Sequence, residues 1–244
     1  MNKNLQVIKI GSKCIIKNGN VDYGVVKRIG YETTELDENS VLVVSGAIPL
    51  GMNLLGYKER PKDKKALQRC ACVGQKELMQ AYDIGFKGHA VTSQLLFTYH
   101  NFSNPEEEKN IEERLKDDVE NGIVPLINYN DGIDAREITQ DNDNLAAQIA
   151  IYCGAKRLLI LTNDVDGLLD QDGRLITEVK IRDILRYKAL CSGAGEYGTG
   201  GMKTKLEAAE MVVPKGIEMI LGNVKYKIKN LINGTCSRTV FYLK

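Results

Sequence analysis

The chain has 244 residues, 43% of them hydrophobic and 27% charged, enough for a substantial buried core and far from the composition of a disordered segment. Thirty-three basic residues nearly cancel thirty-two acidic ones, leaving a formal charge of +1, so no general electrostatic footprint for nucleic acid is present. Six cysteines without a CxxC pair, and only His89 and His100 to join them, argue against a structural metal.

The first residues run straight into a strand-like segment with no signal-peptide core, and no apolar stretch approaches the roughly 18 residues of a membrane span. A cytoplasmic protein with reduced thiols and no membrane partner is expected. Apolar, β-branched runs predict strands at 6–10, 41–45, 90–97, 123–128, 157–162, 217–221 and 238–243. Several are continuous rather than alternating, as in strands covered on both faces. Between them, helical spacing marks 64–86, 105–120, 143–153 and 202–213. Parallel neighbours need crossover connections, so this alternation predicts an α/β fold, an open and mainly parallel sheet wrapped by helices. No linker or repeat divides it, and one continuous domain is expected. The acidic helix at 105–120 reads as exposed and laced with i,i+4 pairs, and the basic run near Lys225 as a solvated helix face.

In open α/β sheets ligands bind beyond the carboxyl ends of strands, so the small and polar residues after each apolar run are the candidates. Lys9 comes first, in an otherwise apolar strand just before Gly11 and Ser12. A charge there is costly unless the strand end opens onto a site, an edge strand with a solvated lysine being the bland alternative. Ser45, Gly46 and Ala47 follow the second strand and offer a hydroxyl and close backbone access. No GxSxG surrounds Ser45, so substrate binding suits it better than nucleophilic attack.

Asn130 and Asp131 follow the strand at 123–128, and Asp141, Asn142 and Asp143 open the next helix. One aspartate suffices as a cap, so the surplus suggests recognition of an ammonium group or orientation of lysines. A calcium loop is excluded by the spacing. Asn163, Asp164, Asp166 and Gly167 form an Asx-type turn after the strand at 157–162. Last, Gly198 to Lys205 places glycines and two lysines ahead of a helix. Gly193, Gly195 and Gly198 fit GxGxxG but follow a helix rather than a strand, and Lys203 and Lys205 lack the preceding glycine of a P-loop. Gly200 and Gly201 would still let amides approach an anion at the start of a helix near Met202, a cradle weighed equally against an ordinary surface loop.

Taken in order, VIKIGS, VVSGAIPLG, VGQKELMQ, VPLINYND, EITQDNDNL, DVDGL and GTGGMKTKLEAA resemble the amino acid kinase family across essentially the whole chain, and within it the branch whose acceptor is glutamate. The resemblance implies a three-layer α/β/α sandwich with a central mostly parallel sheet. It implies phosphoryl transfer from ATP, helped by Mg2+, to the side-chain carboxylate of L-glutamate, opening proline biosynthesis. Residues 1–140 would mainly bind glutamate and 141–244 mainly ATP. By the same resemblance Lys9 and Lys205 would flank the transferring phosphoryl group and Asp143 would orient them. Ser45, Gly46, Ala47, Asp131 and Asn142 would bind glutamate. Lys9, Asn163, Asp164, Thr199, Gly200, Gly201, Met202, Lys203, Thr204 and Lys205 would bind ATP, with no protein metal ligand. Proline as a feedback inhibitor and a homo-oligomer, dimer or tetramer, are also implied.

Two hydroxyl positions depart from the family pattern: Ser12 and Asn163 stand where threonine is common. Many members carry a C-terminal PUA domain, and a chain ending at Lys244, just after the last kinase strand, is expected to be the kinase domain alone.

Overall fold

The computed structural model describes residues 5–133, 142–193 and 199–243. Among them the strands are β1 (Leu5–Ile10), β2 (Ile16–Lys17), β3 (Asn20–Val21), β4 (Asn39–Val44), β5 (Val91–Phe97), β6 (Ile123–Tyr129), β7 (Arg157–Thr162), β8 (Leu168–Leu169), β9 (Leu175–Ile176), β10 (Glu178–Lys180), β11 (Glu218–Asn223) and β12 (Arg238–Tyr242). The helices are α1 (Ser12–Ile15), α2 (Tyr23–Thr34), α3 (Ala47–Leu54), α4 (Lys64–Phe86), α5 (Pro105–Glu120), α6 (Asn142–Tyr152), α7 (Ile184–Gly193), α8 (Thr199–Val212) and α9 (Ile228–Asn233). No described helix is long and apolar enough to cross a membrane.

The chain forms two compact units. The first takes Met1–Lys9 and Asp143–Lys244, and the second takes Ile10–Asn142, so β1 ends at the passage from one to the other. In the first unit the strand order is β10-β12-β11-β7-β1, with β7 and β11 parallel, β10 and β12 parallel, and β11 and β12 antiparallel. In the second it is β4-β6-β5, all parallel. Both units thus have the mainly parallel sheet and helical layers of an α/β/α sandwich.

Continuous apolar runs became covered strands: every residue of β1 and β7 is buried, and β4 is buried from Ser40 to Val44. The helix at 105–120 has the expected pairs, Lys109 with Glu113 at 3.6 Å and Arg114 with Asp118 at 2.5 Å. Its stripe of Ile111, Leu115 and Val119 is buried, and Asp118 is buried too, accepting from Ser93 Oγ at 2.6 Å. Two expectations shift. Lys225 lies in the turn after β11 rather than on a helix face, and α8 begins at Thr199, ahead of Met202.

Sequence periodicity misses the helices α2 and α3, and it also misses several very short strands. β10 has three residues, of which only Val179 is buried, too few to show a period. β2 and β3 are two-residue strands joined by Asn18 and Gly19, at φ 51° and 77°. Positive φ at both central residues is what a type I′ hairpin turn requires.

Helices α3 and α4 approach each other through glycine. A Cβ on Gly74 would lie 1.8 Å from the Ala47 carbonyl oxygen, and one on Gly51 would lie 1.8 Å from that of Cys70. Because Gly74 meets the first residue of α3, this contact fixes where Ser45, Gly46 and Ala47 sit. Gly74→Ala is expected to cost about 2 kcal/mol or more, since the obstacle is backbone that cannot rotate aside. Chemical denaturation of the variant measures it, and an unchanged midpoint would refute the close approach.

Candidate functional site

In the first unit one carboxylate gathers three donors. Asp143 lies in the first turn of α6 and is fully buried. Its Oδ1 stands 2.8 Å from Lys9 Nζ, and its Oδ2 stands 2.9 Å from Lys205 Nζ. The hydroxyl of Thr204 donates to the same Oδ2 at 2.9 Å. Lys9 is itself 4% exposed, reaching Asp143 from the last residues of β1. The alternative of a solvated lysine is thereby excluded, because every residue of β1 is buried.

Lys205 is anchored twice. Besides Asp143, its ammonium donates to the carbonyl of Gly201, one helical turn earlier, at 2.9 Å. Two residues apart on a helix are about 200° apart around its axis, so Lys203 and Lys205 cannot face the same group. Lys203 instead turns outward toward Glu207 at 3.9 Å and is largely exposed. Because α8 starts at Thr199, Gly200 and Gly201 form its opening turn. Met202 is partly buried, and the side chain of Thr199 lies outside the described residues. So do Asp141, Gly195 and Gly198.

The turn after β7 is pinned from the neighbouring strand. Asn223, the last residue of β11, donates its amide to the carbonyls of Asn163 at 3.0 Å and Val165 at 3.2 Å. Thr162 Oγ1 donates to Val165 O and to Gly222 O. The Asn163 and Asp164 side chains are exposed at the strand's carboxyl end, their side chains joined at 3.3 Å. Asp166 closes the turn, paired with Lys225 at 2.7 Å and accepting from Tyr226 at 3.0 Å. Its hydrogen bond from Lys225 holds the carboxyl below the ordinary aspartate range.

The second unit carries a chain of amides. Asn142 donates to the Val44 carbonyl and to Asn128 Oδ1, each at 2.8 Å. Asn128 in turn donates to Gln75 Oε1 at 3.0 Å. Both amide hydrogens of Asn142 are therefore committed. This chain ties the end of β4, next to Ser45, to β6, which leads to Asp131. Ser45 donates its backbone N–H to Ile10 O at 3.1 Å, and Gly46, at φ 138°, makes the turn into α3.

Asp131 is mostly buried. Desolvation pushes its carboxyl up to about 6, against a smaller opposing pull from Arg60. A carboxylate held this way lacks a full counter-charge, which suits it to receive a cation.

Sequence reasoning missed Asn128, Gln75 and Asn223. Asn128 is a polar residue in an apolar strand, the same signal that singled out Lys9. Asn223 follows the apolar run at 217–221 as Ser45 follows the one at 41–45. Thr204 was legible only as part of the glycine-lysine segment, not as the partner of Asp143.

The amino acid kinase family model matches residues 4–223. The chain is similar to the glutamate 5-kinase of Thermoanaerobacter sp. (strain X514), 36% identical over 239 residues, covering 93% of this chain and 63% of that protein. It is similar to the glutamate 5-kinase of Lactococcus lactis subsp. lactis (strain IL1403), 36% identical over 258 residues, with 98% of this chain and 94% of that protein covered. The first relative is therefore spanned over less than two thirds of its length and the second over nearly all of it. Among solved structures, carbamate kinase from Giardia lamblia bound to AMP-PNP superimposes with a TM-score of 0.68 at 15% identity, covering 100% of this chain and 99% of that one. UMP kinase from Ureaplasma parvum gives 0.65 at 14% identity, covering 98% and 100%. At such identity these two establish the fold alone.

The raised Asp131 carboxyl makes a stability prediction. Its folded value lies above the unfolded value of 3.8, so the fold favours the protonated form and loses stability as pH rises from about 4 through 6. Asp131→Asn removes that cost, and is expected to stabilise the protein by up to about 3 kcal/mol at pH 8 and by less at pH 5. Denaturation at the two pH values measures this; a destabilised variant at pH 8 would contradict it.

Proposed function

The chain belongs to the amino acid kinase family, and from that premise we propose that it is an ATP-dependent kinase that phosphorylates the side-chain carboxylate of L-glutamate. The product is L-glutamyl 5-phosphate, the first intermediate of proline biosynthesis. The observation that carries the reading is the buried Asp143 with Lys9 and Lys205 on its two oxygens, at 2.8 and 2.9 Å. The similarity to glutamate 5-kinases over almost all of this chain supports glutamate as the acceptor.

Phosphoryl transfer asks little covalent chemistry of a protein. Positioning and charge stabilisation supply most of the rate. A side-chain carboxylate oxygen of glutamate attacks the γ-phosphorus of ATP, a P–O bond forms, the bond to the β,γ-bridging oxygen breaks, and ADP leaves. Lys9 and Lys205 neutralise the charge that gathers on the transferring oxygens. Asp143 holds both ammonium groups in place and does not act as a base, because the glutamate carboxylate is already ionised at neutral pH. Thr204 holds the Asp143 carboxylate in turn.

In the second unit, Asp131 receives the ammonium of glutamate, while Ser45, the Gly46 and Ala47 backbone and Asn142 bind its other polar groups. Asn163, Asp164 and the segment from Thr199 to Lys205 contact ATP. Mg2+ enters on the ATP phosphates, whose hard oxygens it prefers. Among the described residues no three His, Cys, Asp or Glu side chains are grouped to hold a metal. A cytoplasmic homo-oligomer inhibited by proline completes the reading.

Two experiments test it. ADP release with ATP and Mg2+ is expected to depend on L-glutamate, far above aspartate, acetylglutamate or UMP, and to yield hydroxamate when hydroxylamine is present. Preference for another acceptor would overturn the substrate, and binding of glutamate with no turnover would make the chain a sensor. Lys205→Ala is expected to lower kcat by roughly 10²-fold or more with the fold intact, since it removes a charge contact made to the transition state. Near-normal turnover would remove Lys205 from the mechanism.

A further inference from the structure

A cavity of about 220 Å³ lies within the second unit, at the amino-terminal ends of β4 and β6 and just before β5. It is at the opposite end of those strands from Ser45 and Asp131, and nothing in the proposed reaction uses it. Its wall takes Thr33 and Thr34 from the last turn of α2, Glu38 and Ser40 around the start of β4, His89, and Val119 from the end of α5.

Two features of this wall agree in sign, and a third marks a place for a ligand. The carboxyl ends of α2, at Thr34, of α4, at Phe86, and of α5, at Glu120, all come to this end of the unit. Each presents the negative end of a helix dipole. Glu38 adds a carboxylate, and the titratable groups of the lining are Glu38 and His89. The His89 ring is held edge-on by Tyr31, with centroids 5.5 Å apart. Finally, Thr33 is 3% exposed, yet its hydroxyl has no partner among the described residues. Its neighbour Thr34 satisfies its own hydroxyl on the Tyr31 and Gly30 carbonyls, at 3.0 and 3.3 Å, the usual resort of a helical threonine. An unsatisfied hydroxyl at the wall of a polar cavity is a group set aside for a ligand or a water.

We propose that this cavity binds a small organic cation, a primary alkylammonium whose charged head lies toward Glu38 and the helix ends and whose carbon chain packs on Leu36 and Val124. Glu38 and the three helix ends disfavour an anion. The site is separate from the proposed catalytic residues, so its occupancy stands or falls apart from the reaction.

The test is a titration of the intact protein with n-butylammonium chloride, with n-butanol and sodium butyrate as matched controls, followed by NMR at the two histidine rings. His89 lines the cavity, and His100 lies outside the lining and serves as the reference. Butylammonium is expected to give a saturable shift at His89 and none at His100, with a Kd near 1 mM or tighter. Glu38→Gln, and separately Thr33→Val, are each expected to weaken it about fivefold or more while leaving ADP release unchanged, which also shows that the variants fold. No saturable response at His89 would overturn the proposal. So would an equal response to butanol, which would make the cavity a nonselective apolar void, or a response that both variants leave intact.

Discussion

Everything in the first unit is organised around one expensive object, a fully buried carboxylate between two ammonium groups. Removing three charges from water costs several kcal/mol for each ion, and only close pairing with additional hydrogen bonds offsets it. The offset here is visible: Lys9 on one oxygen of Asp143, Lys205 and Thr204 on the other, and the Gly201 carbonyl as a second acceptor for Lys205. Lys9, Lys205 and Asp143 bring two positive charges and one negative together. In the proposed reaction an anionic phosphoryl group comes to rest beside the two ammonium groups, where low dielectric strengthens the attraction.

Sequence and fold cooperate to build it. Lys9 rides on β1, every residue of which is buried, and Asp143 opens α6, where a carboxylate also favours the helix dipole. Lys205 stands one turn into α8, close enough to the helix start to be held by its own backbone. Neighbouring residues of one helix start serve different ends: Asp143 holds the lysines, while Asn142 ties the end of β4 to β6 through Asn128. In the second unit the glycine contact of α4 with α3 and this amide chain do by packing and hydrogen bonds what ion pairs do in the first.

Much of this was legible in the chain itself. Long continuous apolar runs gave seven strands, and the helices at 64–86 and 105–120 appear with those bounds. Lys9 stood out because a charge in an apolar strand needs a reason, and Asp143 because the run of carboxylates and amides exceeded what capping needs. The pairing of Asp143 with Lys9 and Lys205 was legible only through the family resemblance, not from the residues themselves. Nothing in GGMKTK distinguishes Lys203 from Lys205 until the helix begins at Thr199 and rotates them apart. Asn128, Gln75 and Asn223 act through partners 14 to 60 residues away in sequence, and only the folded register brings those together. Short hairpins escaped because two residues have no period.

The account assigns Asp143 to holding lysines and leaves the attack to a carboxylate that needs no base. The oxygen itself can be followed. With L-glutamate labelled by 18O in its side-chain carboxylate, ATP, Mg2+ and hydroxylamine, attack by that carboxylate puts a labelled oxygen in the bridge to phosphorus, and hydroxylamine then releases it with the phosphate. The account predicts inorganic phosphate carrying one 18O from glutamate for each hydroxamate formed. Unlabelled phosphate would mean that water, not glutamate, takes the phosphoryl group, and would contradict the proposed reaction.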